Sequence, residues 1–233
     1  MASDGTSMRV QLESVQPGLR LDAVTVLRGI RPVIHDFSNH LDFGQLGLVH
    51  GANGAGKTTL LRAIAGRLPL ENGFISYAGA SGGTDRREIA RLYVGHKDGL
   101  SSQLSGRENL QNWAAMTGYG DSHRIEVALN ALGCMGFADS MVRLLSRGQR
   151  RRLALARLML GPDKALWLLD EPNVGLDDDA SKALDSIITA HIGKGGMVLA
   201  ATHIDLVPAL GTKRQVWTLG ELEQAGQRVQ KDA

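Results

Sequence analysis

A single cysteine, Cys134, rules out an internal disulfide, and no apolar run approaches the roughly 20 residues that cross a bilayer. Cys134 lies in the apolar stretch ALGCMGF, so it reads as core rather than nucleophile, and its isolation fits a reducing compartment. Charge of one sign is also lacking: 26 Lys and Arg stand against 24 Asp and Glu. A net +2 gives no basic footprint, so no nucleic-acid partner is expected. There is no internal repeat, no long linker and no heptad run. The opening MASDGTSM has neither the apolar centre of a secretory signal nor an Arg-rich transit character, and residues 1–7 are expected to be flexible, as are 223–233. At 233 residues the chain can bury one substantial core with a smaller subdomain attached.

What is present is organised around Gly51–Thr58, GANGAGKT, which fits the phosphate-loop pattern G-x-x-x-x-G-K-[ST]. Leu46–Val49 leads in as a buried strand, and TTLLRAIAG leads out with Leu60, Leu61 and Ile64 at helical spacing until Gly66 stops it. Gly51, Gly54 and Gly56 let the backbone curl so that successive N–H groups converge on one anion at a helix start. Lys57 then reaches the β- and γ-phosphates, and the Thr58 hydroxyl is available to Mg²⁺.

Along the chain, Met8–Leu12, Leu21–Leu27 and Val33–Phe37 read as short strands of a small antiparallel sheet, with turns at Gln16-Pro17-Gly18 and Arg28-Gly29. Gly73–Tyr77 is a further strand, Ala78–Arg87 a solvated loop, and Arg91–Gly95 a buried strand ending at His96-Lys97-Asp98. Helical signals dominate from Arg107 to Leu144, with Ile125, Leu129 and Leu132 on one face.

The second informative stretch is LSRGQ, residues 145–149, opening the helix RRRLALARLML. Ser146 can cap that helix, Gly148 permits close approach, and the helix dipole favours an anion there. By itself such a start can be a plain cap, with Arg147, Arg150, Arg151 and Arg152 as a solvated basic face; the next stretch favours the anion site. Ala165–Leu169 is an unbroken apolar strand ending in Asp170-Glu171-Pro172. Asp170 can hold Mg²⁺, and Glu171 can orient or deprotonate an attacking water. Val174-Gly175-Leu176-Asp177 follows, and the strand Met197–Ala201 delivers Thr202-His203, where His203 is expected to contact the γ-phosphate.

This ordered set, GANGAGKT, LSRGQ, LWLLDEP, VGLD and TH, resembles the nucleotide-binding subunits of ABC transporters over nearly the whole chain. The resemblance implies an α/β P-loop NTPase fold: a RecA-like core with an antiparallel β subdomain over about 8–95 and 146–222, and an ABC-type helical subdomain over about 96–145. It implies ATP with Mg²⁺ as ligands, held by Gly51, Ala52, Asn53, Gly54, Ala55, Gly56, Lys57, Thr58 and Thr59, with Thr58 and Asp170 on the metal. It also implies a head-to-tail homodimer in which Ser146, Gly148 and Gln149 of one copy meet the nucleotide of the other, and integral membrane subunits as partners. More narrowly, LLSRGQRRRLALARL, YVGHKDGLSSQLSGRENL and GKGGMVLAATH resemble the ATPase subunits of cytochrome c maturation systems, which implies heme handling at an inner membrane, on its nucleotide-containing side. The chain itself has no Cys-x-x-Cys-His and no recognisable heme-ligand histidine. A different ABC transporter is the alternative, and a soluble ABC ATPase a more distant one. In detail, Lys97 stands where most relatives have a glutamine, and Arg28 stands near the place of the usual adenine-stacking aromatic; its guanidinium plane can stack on a base. Lys97, WLLDEP and LDDD resemble the plant mitochondrial form more than the bacterial one.

Overall fold

The computed structural model describes residues 18–77, 89–204 and 206–220. The expected strand Met8–Leu12, the turn residues Gln16 and Pro17, the loop Ala78–Arg87 and both flexible ends lie outside the described residues.

Strand β1 (Leu19–Arg28) is the centre of a three-stranded antiparallel sheet, with β2 (Arg31–Leu41) on one side and β4 (Asn72–Tyr77) on the other. Its register shifts mark bulges, where Ala23 and Asp36 take φ of 48° and 49°. Side-chain oxygens supply the missing ladder partners: the Ala23 N–H donates to Ser38 Oγ at 2.9 Å, and the Asp36 N–H to Thr25 Oγ1 at 3.1 Å. Gly73 lies against this bulge, where a Cβ would come within 2.3 Å of the Ala23 carbonyl.

Strands β3 (Leu46–His50), β5 (Arg91–Val94), β6 (Leu166–Asp170), β7 (Met197–Ala201) and β8 (Arg214–Thr218) form a wholly parallel sheet in the order β5-β6-β7-β3-β8. Parallel strands covered on both faces carry near-continuous apolar runs, and every residue of LWLLD and MVLAA is buried. Successive side chains alternate between two cores. Leu48, Trp167, Leu169, Val198 and Ala200 meet Leu110 of α2 (Gly106–Thr117), Leu129 of α3 (Ser122–Ala131), Leu153 of α4 (Arg147–Ala156) and Leu184 of α5 (Asp178–Gly193). Val49, Leu166, Leu168 and Leu199 meet α1 (Lys57–Ile64) through Leu60, Leu61 and Ile64, and the antiparallel sheet through Leu19 and Leu21. The order β6-β7-β3 brings three loops together at one carboxyl edge, where sheets of this kind bind ligands.

Cys134 is fully buried and its thiol is pushed up to about 12 by desolvation, as a core residue requires. Helix α5 and strand β8 were not expected from the sequence. The signal for α5 is plain in retrospect, with Asp177 as N-cap and Ala180, Leu184, Ile187 and Ile188 along one buried stripe.

Helix α5 also carries His191, whose ring stacks on Trp167 at 3.7 Å and 8° and whose Nε2 lies 2.9 Å from the Ala165 carbonyl. Burial lowers its pKa from 6.5 to about 4. The folded protein therefore resists a proton that the unfolded chain accepts at pH 6.5, so the stabilisation is complete above that pH and is lost as pH falls towards 4. The span amounts to about 3 kcal/mol. His191→Phe keeps a ring on Trp167 but cannot titrate. Urea midpoints measured from pH 7.5 to 4 should fall more steeply for the parent than for this variant; parallel curves would contradict the burial argument.

Candidate functional site

Helix α1 begins at Gly56, which has φ 99° and supplies no side-chain cap, so its leading N–H groups remain available to an anion. A Cβ at Gly56 would fall 2.8 Å from Ile34 Cδ1 and 2.9 Å from Val33 Cγ1, so only glycine lets β2 brace the loop from behind. At Gly54, with φ 89°, nothing lies within 4 Å of where a Cβ would be, and its neighbours Ala52 and Asn53 are exposed, so the mouth of the loop is open. Gly51 and Ala55 are half-buried at its two ends, and Thr59 is half-buried on the first turn of α1.

Lys57 is buried, and its Nζ donates to the carbonyls of Gly51 at 2.7 Å and Ala52 at 3.1 Å. It also lies 3.3 Å from His203 Nε2. Thr58 Oγ1 sits 3.0 and 2.9 Å from the two carboxylate oxygens of Asp170, which is 3 % exposed at the end of β6. One hydroxyl proton is thus shared between two acceptors. Hard oxygen donors brought together in this way, with one carboxylate and one hydroxyl, suit Mg²⁺ that takes its remaining ligands from phosphate and water. The loop and this pair together fit the magnesium nucleotide that the sequence implies.

Beside Asp170 stands Tyr93, not anticipated from the sequence, whose hydroxyl donates to Asp170 Oδ2 at 3.3 Å. Burial above all raises the Tyr93 pKa, and the Arg67 guanidinium covers its ring at 4.7 Å.

Glu171 follows in the left-handed region at φ 49°, a conformation that costs a non-glycine residue about 1 kcal/mol. Its N–H continues the ladder to the Ala201 carbonyl at 2.8 Å, and its Oε1 lies 3.6 Å from His203 Nε2. Asn53 Oδ1 is 3.2 Å from the same nitrogen. His203 Nε2 therefore faces Lys57, Asn53 and Glu171 at once, although the three come from the start of α1, the loop after β3 and the turn after β6.

The LSRGQ corner behaves differently from the phosphate loop. Helix α4 is closed by a capping box: Ser146 Oγ accepts from the Gln149 N–H at 3.2 Å, and the Gln149 side chain accepts from the Ser146 N–H at 2.9 Å. A Cβ at Gly148 would fall 2.6 Å from the Gly175 carbonyl, so within the chain this glycine also lets the VGLD turn pack closely. Asp177 ends that turn, capping α5 through the Ala180 N–H at 3.0 Å and pairing with Arg152.

One arginine of the basic run leaves the surface. Arg151 is 4 % exposed and points inward to the carbonyls of Gly95, Asp170, Glu171 and Pro172, and Arg150 donates to the Leu145 carbonyl. A run of like charges hides this because helical spacing sends one arginine of three toward the sheet while its neighbours stay at the surface.

Two sequence-singled residues stay at the periphery. Arg28 is the exposed last residue of β1, paired with Arg31 across the turn Gly29-Ile30. Lys97 is exposed, and His96 is the residue that lines the small cleft beside Glu171, together with Asp98, Arg147, Arg151 and Val174.

Residues 34–174 match the ABC transporter family model. The chain belongs to the ABC transporter family. It is 42% identical to the cytochrome c biogenesis ATP-binding export protein CcmA of Xanthomonas oryzae pv. oryzae, over 82% of this chain and 89% of that protein. It is 44% identical to the protein of the same name from Roseobacter denitrificans, over 80% and 84%. Among solved structures, an ABC transporter ATP-binding protein from Pyrococcus furiosus superposes with a TM-score of 0.71 at 25% identity, covering 86% of this chain and 96% of that one. No helix among the described residues is long and apolar enough to cross a membrane.

Proposed function

We propose that this chain is the ATP-hydrolysing subunit of a membrane complex for cytochrome c biogenesis, coupling Mg-ATP turnover to the handling and release of heme for attachment to apocytochrome c. The observation that carries the reading is the contact of Thr58 with Asp170, 112 residues apart, on a phosphate loop whose lysine shares His203 with Glu171. In a chain so similar to the CcmA proteins, that cluster is the motor and the membrane partners supply the task.

In the mechanism we assign, the α1 N–H groups and Lys57 Nζ bind the phosphate tail, exchanging the Gly51 and Ala52 carbonyls for phosphate oxygens. Thr58 and Asp170 would hold Mg²⁺, which would supply positive charge against the phosphate oxygens. Glu171 accepts the proton of the attacking water as its oxygen bonds to the γ-phosphorus and the bridging oxygen departs with ADP. His203 keeps that carboxylate and the γ-phosphate in register. We assign Arg28 to stacking on the adenine. Two copies close head to tail, so that Ser146, Gly148 and Gln149 of one seal the nucleotide on the other. We assign the chain to the nucleotide-containing side of an inner membrane, the mitochondrial matrix face or the bacterial cytoplasmic face, through integral membrane subunits.

The test is affinity purification of the tagged full chain from membranes of its native cells, with the bound proteins identified and ATP hydrolysis measured. Heme-maturation membrane proteins should co-purify and hydrolysis should require Mg²⁺. A transporter of another substrate class in their place would overturn the cytochrome c assignment while leaving the ATPase intact.

A further inference from the structure

The Arg151 guanidinium has five N–H groups, and each finds an acceptor. Nε donates to the Pro172 carbonyl at 3.3 Å, and Nη2 to the carbonyls of Asp170 and Glu171, both at 2.8 Å. Nη1 donates to the Gly95 carbonyl at 2.7 Å and faces Asp98 Oδ1 at 3.4 Å. One side chain from α4, five residues after Ser146, thus grips three successive carbonyls of the turn that carries Glu171, together with the loop after β5.

Those three carbonyls belong to a turn whose own closure is a 3.3 Å hydrogen bond from the Val174 N–H to the Glu171 carbonyl. With φ 49°, Glu171 leaves the extended path of β6. Its N–H is tied to β7 through the Ala201 carbonyl, and its carbonyl accepts from the Val174 N–H at 3.3 Å and, at the shorter distance of 2.8 Å, from Arg151 Nη2. A left-handed residue persists where its surroundings over-determine it. Here the N–H and the carbonyl of one residue are fixed by different elements, which sets the direction of the side chain between them. Taking a cation out of water is costly, and with Asp98 as its ionic partner this one is placed where it orders backbone rather than surface.

We propose that Arg151 is a positioning residue for ATP hydrolysis: it fixes the left-handed turn that aims the Glu171 carboxylate, and it locks that turn to the Gly95–Asp98 loop. The inference rests on Glu171 acting as the general base. Because one guanidinium bridges the two segments, displacement of the 95–98 loop moves the base, and α4 must be seated for the base to be aligned. Misplacement of a reacting group by about 1 Å can cost on the order of a hundredfold in rate.

The experiment compares Arg151→Gln and Arg151→Lys in the full chain, each alone and combined with Glu171→Gln. It measures kcat, KM, ATP affinity, thermal unfolding and the single-turnover rate. Arg151→Gln, which keeps two N–H groups, should lower kcat by about tenfold to hundredfold with KM and ATP affinity within about threefold. Arg151→Lys keeps the charge but not the planar fork and should stay at least about fivefold below the parent. In the Glu171→Gln background neither change should slow the residual single-turnover rate further, because a residue acting through Glu171 has nothing left to align. Parental kcat in folded Arg151→Gln, full recovery with Lys, or an equal loss in both backgrounds would each overturn the proposal. If Arg151→Gln does not fold, Arg151→Lys carries the same comparison. Parental turnover by Glu171→Gln alone would instead refute the general-base reading.

Discussion

Glu171→Gln should lower steady-state ATP turnover by about 10²- to 10⁴-fold, the range general-base assistance contributes, with ATP affinity changed by less than about threefold. The substitution preserves shape and removes only the ability to take a proton. The turn should survive, since the contacts that hold it are made to the Glu171 backbone: its N–H donates to Ala201, and its carbonyl accepts from the Val174 N–H and from Arg151. Gln meets the same cost at φ 49° as Glu does, so no new strain enters. Lys57, Thr58 and Asp170 lie on other atoms of the site and keep their geometry. Binding and turnover should therefore separate. ATP affinity by equilibrium titration and phosphate release by steady-state assay give the two numbers, and a parental rate of release would remove Glu171 from the mechanism.

The parts of this site that could be read from the sequence are those where chemistry is contiguous. A phosphate loop needs its glycines, lysine and threonine within one turn of chain, and an acidic pair at the end of an apolar strand announces an edge of the sheet. Groups that act through backbone leave no such mark. Arg151 is one of three consecutive arginines, and nothing in the local pattern says that its partners are carbonyls 19 to 56 residues away. Tyr93 reaches Asp170 only because β5 and β6 are neighbours, a pairing fixed by tertiary packing. The Gln149 side chain closes the cap of its own helix, a role that S-x-x-Q, the capping-box pattern, shows at residues 146–149. The fold was legible where strands are fully buried and apolar. It was less so for β2, whose polar second half, Ser38–His40, extends the strand through Leu41 by pairing with β1. Strand β8 is five residues at the sheet margin, where RQVWT alternates too briefly to stand out.

Ser146→Asp should abolish hydrolysis while leaving the monomer as stable as the parent. In this structure the serine hydroxyl accepts from the Gln149 N–H, which uses a lone pair and leaves its own proton free. One hydroxyl can therefore cap its helix and still donate to a phosphate oxygen of an opposing nucleotide. Aspartate is as good an N-cap as serine, and its charge suits the positive end of α4, so the intramolecular role is retained. It has no proton to give at neutral pH and sets a negative charge against a γ-phosphate, so the proposed seal between two copies is lost. Ser146→Ala makes the opposite cut: loss of the cap should cost about 1 kcal/mol of stability, without like-charge repulsion at the interface. Thermal unfolding, ATP binding by the isolated chain and hydrolysis at a concentration that permits pairing distinguish the two. The expected pattern for Ser146→Asp is parental unfolding, parental ATP binding and no detectable turnover. If that variant hydrolyses ATP at the parental rate, the LSRGQ corner does no more than start its helix, and the head-to-tail arrangement loses its chemical reason.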